Sequence, residues 1–403
     1  YDDDHPKLTV YVGSQIPYAD RNQIAAAMNL APEDVRVIGT LIGGGFGRRL
    51  QNDYVSEAVQ VSQAAGAPAA TDIPMLAIRD LADKVGDIAS RFYGHPSRHL
   101  ELIGVTGTNG KTTVAWMIAQ ASELLGRTCG YLGTLGYGVG EIEGDDGMTT
   151  PAAVTLHERL AGFVEHGASV AAVEVSSHAL DQQRVDGARF DTAVFTNLTR
   201  DHLDYHDDMS AYFESKARLF TDCAPRHRIV NIDSDYGLQL AALGGPDVVT
   251  VSTKFDRVAN ERPFLFVRSV VANEQGSDVT FVSSWGDGRF SLNLPGEFNV
   301  ANAAAVLALL LMKGAPVDQA CDVMSQLQAP PGRMQRVATE GPAVFVDYAH
   351  TPDALESALR AAGLTPPLPA DLAESVGAAP EQFDALVAML ADQGKVVVLD
   401  TKV

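Results

Sequence analysis

Eight residues, Thr106-Gly-Thr-Asn-Gly-Lys-Thr-Thr113, limit what this chain can fold into more than any other stretch, because of what flanks them. The apolar run from Leu102 to Val105 comes directly before them and has the length of a buried strand. An amphipathic segment from Thr112 to Leu125 follows. A strand that enters a helix through a glycine-rich turn presents backbone N–H groups to an anion, and the helix adds the positive end of its dipole. Gly107 and Gly110 supply the bend, so that successive N–H groups around Thr108 and Asn109 can face phosphate oxygens. Lys111 would reach the β- and γ-phosphates, the Thr112 hydroxyl would ligate Mg²⁺, and Thr113 belongs to the same nucleotide-binding set. The plainer reading is a glycine-rich turn with a solvated lysine. A strand before, a helix after and Gly-Lys-Thr in sequence weigh against it. The full G-x-x-x-x-G-K-T spacing places a glycine at 105, where Val105 stands. The motif reads as a nucleotide site of a variant P-loop type.

The rest of the chain falls into unequal blocks. Residues 1–70 end in Ala64-Ala-Gly-Ala-Pro-Ala-Ala70, and residues 71–330 form the central block around the loop. Residues 331–362 open a further segment, and the prolines of Gly363-Leu-Thr-Pro-Pro-Leu-Pro369 separate a tail, 363–403. In the central block, Leu102–Thr106, Val170–Val175, Thr192–Thr196 and Arg228–Ile232 are short apolar runs of buried-strand length. Helical segments at Thr112–Leu125, Pro151–His166 and Ser210–Phe220 lie between them. That alternation predicts an α/β fold, a doubly wound and mostly parallel sheet. Between about 249 and 294 the pattern alternates with Gly-Asp turns, as in Asp278-Val-Thr-Phe-Val-Ser-Ser284, which predicts a small inserted antiparallel sheet.

Composition excludes several classes. Hydrophobic residues make up 46% and charged residues 20% of the 403, a globular mixture rather than a disordered or fibrous one. No run of about 18 apolar residues occurs, so no membrane span is expected. The net charge of −21 has the wrong sign for holding a phosphate backbone, and no nucleic-acid partner is expected. Three widely spaced cysteines, Cys129, Cys223 and Cys321, argue against a disulfide framework or zinc site. With an acidic start that is no signal peptide, they point to a cytoplasmic location.

Other residues carry chemistry by type and place. Glu174 closes a buried strand, where parallel sheets present ligands, and with Thr112 it suits Mg²⁺, which takes few protein oxygens plus water and phosphate. The alternative is a solvated acid at a strand end. His202 and His206 stand four apart in an Asp-rich run, the spacing of a zinc pair on one helical face, without the third ligand zinc needs. Lys216, among Phe213, Leu219 and Phe220, reads on its own as a lysine whose stem covers apolar surface. Asn299 and Asn302 sit where helix caps and turn formers belong.

Three longer motifs extend the loop. They are Glu174-Val-Ser-Ser-His-Ala-Leu180 with Gln182 and Arg184, Phe195-Thr-Asn-Leu-Thr-Arg-Asp-His-Leu-Asp-Tyr-His206, and Asp347-Tyr-Ala-His-Thr-Pro-Asp-Ala-Leu355. Together with the loop they resemble the Mur ligase family, the ATP-dependent amide-forming enzymes of peptidoglycan synthesis, most of all its MurE type, over roughly residues 72–362. Folylpolyglutamate synthetases share the ATP chemistry but fit these motifs less well. The resemblance implies a cytoplasmic ligase that joins a free amino acid to a UDP-N-acetylmuramoyl-dipeptide through an acyl phosphate, using ATP and Mg²⁺ at two sites. It implies catalytic roles for Lys111, Lys216, His202 and Glu174, with His202 at the second Mg²⁺ and Lys216 carbamylated by CO₂ into a metal ligand. A desolvated lysine of depressed pKa suits that modification. The resemblance places Asn299 and Asn302 beside the adenine, Arg333 and His350 over the phosphates, and Asp347 at the ribose or a metal-bound water. Thr149, Thr150, Ser177, Gln182 and Arg184 would face the muramoyl-peptide, Arg184 through its bidentate fork.

The ends resemble other things. Gly43-Gly-Gly-Phe-Gly-Arg-Arg49, after Val35–Ile42, is similar to the pterin-contacting loop of the xanthine dehydrogenase and aldehyde oxidase large subunit. The tail, with helices at 369–376 and 381–393 and a strand at Lys395–Leu399, faintly resembles a winged-helix unit. The family's uridine-gripping domain and its Asp-Asn-Pro-Arg segment for the incoming amino acid find no match. The chain therefore reads as a composite around a ligase core. Three functions stand open: a ligase, whether of meso-diaminopimelate or of lysine; a nucleotide-binding module without turnover; and, on the Gly43–Arg49 loop alone, an oxidoreductase fragment.

Overall fold

The computed structural model describes residues 8–12, 25, 31, 35–39, 81–254, 262–273, 276–336, 343–348, 357, 358, 361 and 395–399. They belong to two compact units, Tyr1–Ala82 and Asp83–Val403. The first contains the parallel pair β1 (Leu8–Val12) and β2 (Val35–Gly39), in register from Leu8 opposite Val35 to Val12 opposite Gly39. β2 falls on the apolar run read as a strand, while Gly43–Arg49 lies outside the described residues.

The second unit begins with α1 (Val85–Phe92) and β3 (Glu101–Thr106), followed by α2 (Lys111–Leu124), β4 (Cys129–Gly133) and β5 (Gly136–Val139). Next come α3 (Ala153–Glu165), β6 (Val170–Glu174), α4 (Ser177–Asp181), β7 (Thr192–Phe195), α5 (Met209–Ala217), β8 (His227–Asn231), α6 (Asp235–Leu243) and β9 (Val249–Ser252). β10 (Phe264–Ala272), β11 (Ser277–Ser283) and β12 (Gly288–Leu292) complete one ten-stranded sheet, and α7 (Glu297–Met312) and α8 (Val317–Met324) follow.

The sheet order is β12-β11-β10-β9-β8-β7-β3-β6-β4-β5, parallel from β10 through β4. The chain runs from β3 outward to β4, returns to β6, then crosses to β7 on the far side of β3. The order reverses at β3, and ligands of open α/β sheets bind at the carboxyl ends of strands flanking such a reversal. The antiparallel strands expected after 249 are present, but they extend the main sheet instead of forming a separate one. The first residues of β10, Phe264–Phe266, pair in parallel with β9, while β10 also pairs antiparallel with β11.

Strand alternation sends successive side chains to opposite faces, which explains why the strands read as unbroken apolar runs. Ile103, Val105, Val170 and Ala172 face one core, roofed by α2, α7 and α8. Leu102, Ala171 and Val173 face the other, which holds Leu156, Leu160, Tyr212, Phe213 and Leu240 from the remaining helices. α7 is apolar on every side because α2, α8 and the sheet all pack on it. Beyond α8, β13 (Gln335–Arg336) pairs antiparallel with β14 (Ala343–Asp347). β14 in turn pairs in parallel with β15 (Lys395–Leu399), from Ala343 opposite Lys395 to Asp347 opposite Leu399. β15 coincides with the strand expected in the tail, whereas the helices expected at 369–376 and 381–393 lie outside the described residues. Among the described residues no helix is long and apolar enough to cross a membrane.

Candidate active site

The glycine-rich loop leaves the carboxyl end of β3 and enters α2 at Lys111. Gly107 and Gly110 have φ of +150° and +85°, and neither has room for a side chain. A Cβ on Gly107 would stand 1.9 Å from Thr196 Oγ1, and one on Gly110 would stand 2.3 Å from Asn302 Oδ1. The segment after β7 holds the loop from beside. The Thr108 N–H donates to Asn197 O (3.0 Å), the Asn109 N–H to Asn197 Oδ1 (2.9 Å), and Thr196 Oγ1 and Asn197 Nδ2 donate to Asn109 O (2.6 and 3.1 Å). Thr196 and Asn197 were not singled out from the sequence, although they lie within the motif that begins at Phe195.

Two lysines converge on this loop. Lys111 Nζ donates to Gly107 O (2.9 Å) and Thr108 O (2.8 Å), and Lys216 Nζ, from α5, donates to the same Gly107 O at 2.9 Å. Lys216 is 1% exposed, and its Nζ stands 4.6 Å from the centre of the Tyr212 ring. Burial pulls its pKa well below the ordinary lysine value of 10.5, and the charge of Lys111 pulls it further. Burial lowers Lys111 as well, opposed by Glu174. The surface role that sequence favours for Lys216 is thus excluded: its amine, not only its stem, is buried.

Glu174 ends β6 opposite Val105, and its side chain is fully buried. Its carboxylate accepts from Thr112 Oγ1 (3.0 Å), Tyr131 OH (2.7 Å), the Thr134 N–H (2.8 Å) and Thr134 Oγ1 (3.3 Å). The solvated reading of this acid therefore fails. A buried carboxylate bonded to the first-turn hydroxyl of the loop's own helix is the oxygen pair a small hard cation would use. Among the described residues no group of three or more His, Cys, Asp or Glu side chains is arranged to hold a metal ion by itself. A cation at Glu174 would therefore draw its other ligands from Thr112, water and phosphate, which is the preference of Mg²⁺.

His202 has φ of +52° and lies 3.5 Å from Asp201 through Nε2. Burial lowers its pKa, with Asp201 opposing and Lys111 and Lys216 reinforcing. His206 follows one turn later, its N–H donating to His202 O at 3.0 Å, but the two rings flank Tyr212 at 6.0 and 5.1 Å and pack against His178. Burial, then the neighbouring His202 and His206, pull His178 down to about 4.

A polar row links Arg184, Gln182 and Thr150 to the end of β6. Arg184 donates from Nε and Nη2 to Gln182 Oε1 (2.9 and 2.5 Å) and from Nη1 to Thr150 O (2.9 Å). Thr150 Oγ1 donates to Glu174 O (2.8 Å), and Thr149 Oγ1 pairs with Thr134 Oγ1 (3.1 Å). Ser177 is not in this row: it is 1% exposed and its hydroxyl has no partner. Ser176, passed over in the sequence, caps α4 and lies 3.4 Å from Thr150 Oγ1. The capping Ser176 is half-buried, while the next residue turns into the core.

Of the remaining candidates, Asn299 and Asn302 are buried in the first turns of α7, and Asn302 abuts Gly110. Arg333 stacks on the Tyr348 ring at 4.3 Å and reaches Thr112 Oγ1 at 3.5 Å. Asp347 Oδ2 accepts from the Met334 N–H at 2.7 Å, and His350 lies outside the described residues.

This fold and constellation define a family. The Mur ligase middle domain matches residues 105–310, and the Mur ligase glutamate ligase domain matches residues 332–402, which takes in the tail. The chain belongs to the Mur ligase family. It is similar to the UDP-N-acetylmuramoyl-L-alanyl-D-glutamate–2,6-diaminopimelate ligase of Pseudomonas putida, at 46% identity over 297 residues, 72% of this chain and 60% of that protein. With the Pseudomonas aeruginosa ligase of the same name it is 41% identical over 356 residues, 86% of this chain and 72% of that one. The chain thus spans about three fifths to three quarters of the length of these relatives. A solved structure of a ligase of this name superposes with a TM-score of 0.67 at 24% identity, over 99% of this chain and 87% of that chain. Folylpolyglutamate synthetase from Lactobacillus casei superposes at 0.57 and 17% identity, over 81% and 93%. Residues 1–70 match the molybdopterin cofactor-binding domain, in line with the resemblance drawn on Gly43–Arg49.

Proposed function

We propose that the chain is an ATP-dependent amide ligase that adds an amino acid, 2,6-diaminopimelate, to UDP-N-acetylmuramoyl-L-alanyl-D-glutamate in the cytoplasm. The observation that carries the reading is the convergence of Lys111, Lys216 and the Thr112–Glu174 pair around one glycine-bent loop. Sequence likeness to ligases of that name supports the choice of substrates.

In this reading a carboxylate oxygen of the muramoyl-peptide attacks the γ-phosphorus, ADP leaves, and an acyl phosphate forms. The amine nitrogen then attacks the acyl carbon, gives up a proton, and phosphate departs. Bringing a carboxylate against a triphosphate requires that both anions be neutralised and aligned. Lys111, which bonds two carbonyls of the loop, would neutralise the transferred phosphoryl. Thr112 and Glu174 would hold one Mg²⁺, and His202 with carbamylated Lys216 would hold a second; when bound, the metals screen the phosphate charge. Carbamylation joins the neutral amine to CO₂ with loss of one proton, and the depressed Lys216 pKa supplies that neutral amine nearer physiological pH. Asn302 would border the base, and Arg333 would close over the phosphates. Thr149, Thr150, Gln182 and Arg184 would receive the peptide, with Arg184 already oriented by Gln182. Phosphate release is expected only when ATP, Mg²⁺, the muramoyl-dipeptide and diaminopimelate are all present. Mg·ATP binding without any turnover would favour the alternative of an inactive nucleotide-binding module.

A further inference from the structure

The two carboxylate oxygens of Glu174 are held differently. Oε1 accepts from the phenol of Tyr131 at 2.7 Å and from the Thr134 N–H at 2.8 Å, while Oε2 faces Thr112. The β4–β5 turn is closed around this carboxylate. A Cβ on Gly133 would stand 2.0 Å from Oε1 and 2.6 Å from the Tyr131 oxygen, so nothing larger than glycine leaves room for the pair. Tyr131 is itself 3% exposed, and Trp116 meets its ring edge to face at 5.4 Å. Tyr131 also lines a cavity of about 60 Å³ together with Trp116, Cys129 and Ile142 among others.

We propose that Tyr131 is a positioning residue for the metal-side carboxylate: its O–H holds Oε1 so that Oε2, with Thr112 Oγ1, is presented to the cation. The inference rests on the reading of Glu174 as a Mg²⁺ ligand. A carboxylate on a single strand-end side chain can rotate about its last bond and can offer either oxygen. Two donors on Oε1 remove that freedom, and partners of metal ligands commonly contribute ten- to a hundredfold in metal affinity.

The test is Tyr131→Phe, which keeps the ring, the Trp116 contact and the cavity wall and removes only the donor. Nucleotide binding by calorimetry is followed as a function of Mg²⁺, with Mn²⁺ binding read directly by electron paramagnetic resonance. The Mg²⁺ concentration for half-maximal ATP binding is expected to rise about tenfold, with ATP binding in the absence of metal unchanged. A variant with a lowered melting temperature and wild-type metal dependence would assign Tyr131 a packing role and overturn the proposal. Glu174→Gln in parallel separates the levels. If it leaves metal dependence untouched, the reading of Glu174 fails, and the Tyr131 proposal fails with it. If Glu174→Gln abolishes the dependence while Tyr131→Phe does not weaken it, only the Tyr131 proposal fails.

Discussion

Replacement of Lys111 by Ala is expected to weaken Mg·ATP binding by at least a hundredfold and to eliminate turnover. The Lys111 ammonium is anchored by two carbonyl oxygens of the loop it spans, Gly107 O and Thr108 O, at 2.9 and 2.8 Å. A hydrogen bond to a charged group contributes about 1.5–3 kcal/mol, and loss of the phosphate contacts made by this ammonium amounts to about 3 kcal/mol or more, on the order of a hundredfold in Kd. The loop itself should survive, because its shape is set by Gly107, Gly110 and the bonds to Thr196 and Asn197. Calorimetric titration of wild type and variant, with circular dichroism as the check on folding, reads the difference. Unchanged affinity in a folded variant would remove the loop from the account.

Lys216→Met is expected to separate catalysis from stability. Because the folded-state pKa of Lys216 lies well below 10.5, the unfolded chain binds this proton more readily than the folded one. The lysine therefore costs the fold stability at neutral pH, and that cost disappears as pH rises through the folded-state value toward the unfolded one. Methionine of similar volume carries no such cost, and Gly107 O keeps its bond from Lys111. The melting temperature at pH 7 should stay level or rise, while turnover falls on the order of a hundred- to a thousandfold, the scale of losing one preorganised electrostatic contact. A drop in melting temperature with turnover preserved would make Lys216 a structural residue.

What could be read from the sequence follows from how far apart the partners lie. The strand runs at 102–106, 170–175, 192–196 and 228–232 were legible because strands covered on both faces are apolar throughout, and their observed limits differ by a single residue. β5 was not legible, since Gly136-Tyr-Gly-Val139 has the composition of a turn and becomes a strand only by pairing with β4. The continuation of β10–β12 from the main sheet depends on three pairs between β9 and β10, a tertiary choice that alternation does not encode. Likewise, the parallel partnership of β14 with β15 joins residues about fifty positions apart.

The site shows the same division. The loop and Glu174 were visible because residue type and local flanks announce them, whereas Arg184 was reached only through the family resemblance. The burial of Lys216 was not, because its partner, Gly107 O, is 109 residues away. Tyr131 and Thr134 are 43 and 40 residues from Glu174 and carry no motif of their own. Ser176 and Ser177 differ only in which way the first turn of α4 aims them.

The reaction path can be followed through one oxygen atom. If the muramoyl-dipeptide is labelled with ¹⁸O in the carboxylate that is to become the amide, and ATP, Mg²⁺ and diaminopimelate are supplied, mass spectrometry of the released phosphate reports where that oxygen went. One ¹⁸O per phosphate, formed in step with amide, is the predicted result. Unlabelled phosphate accompanying amide formation would contradict transfer of the γ-phosphoryl group to the carboxylate at this loop.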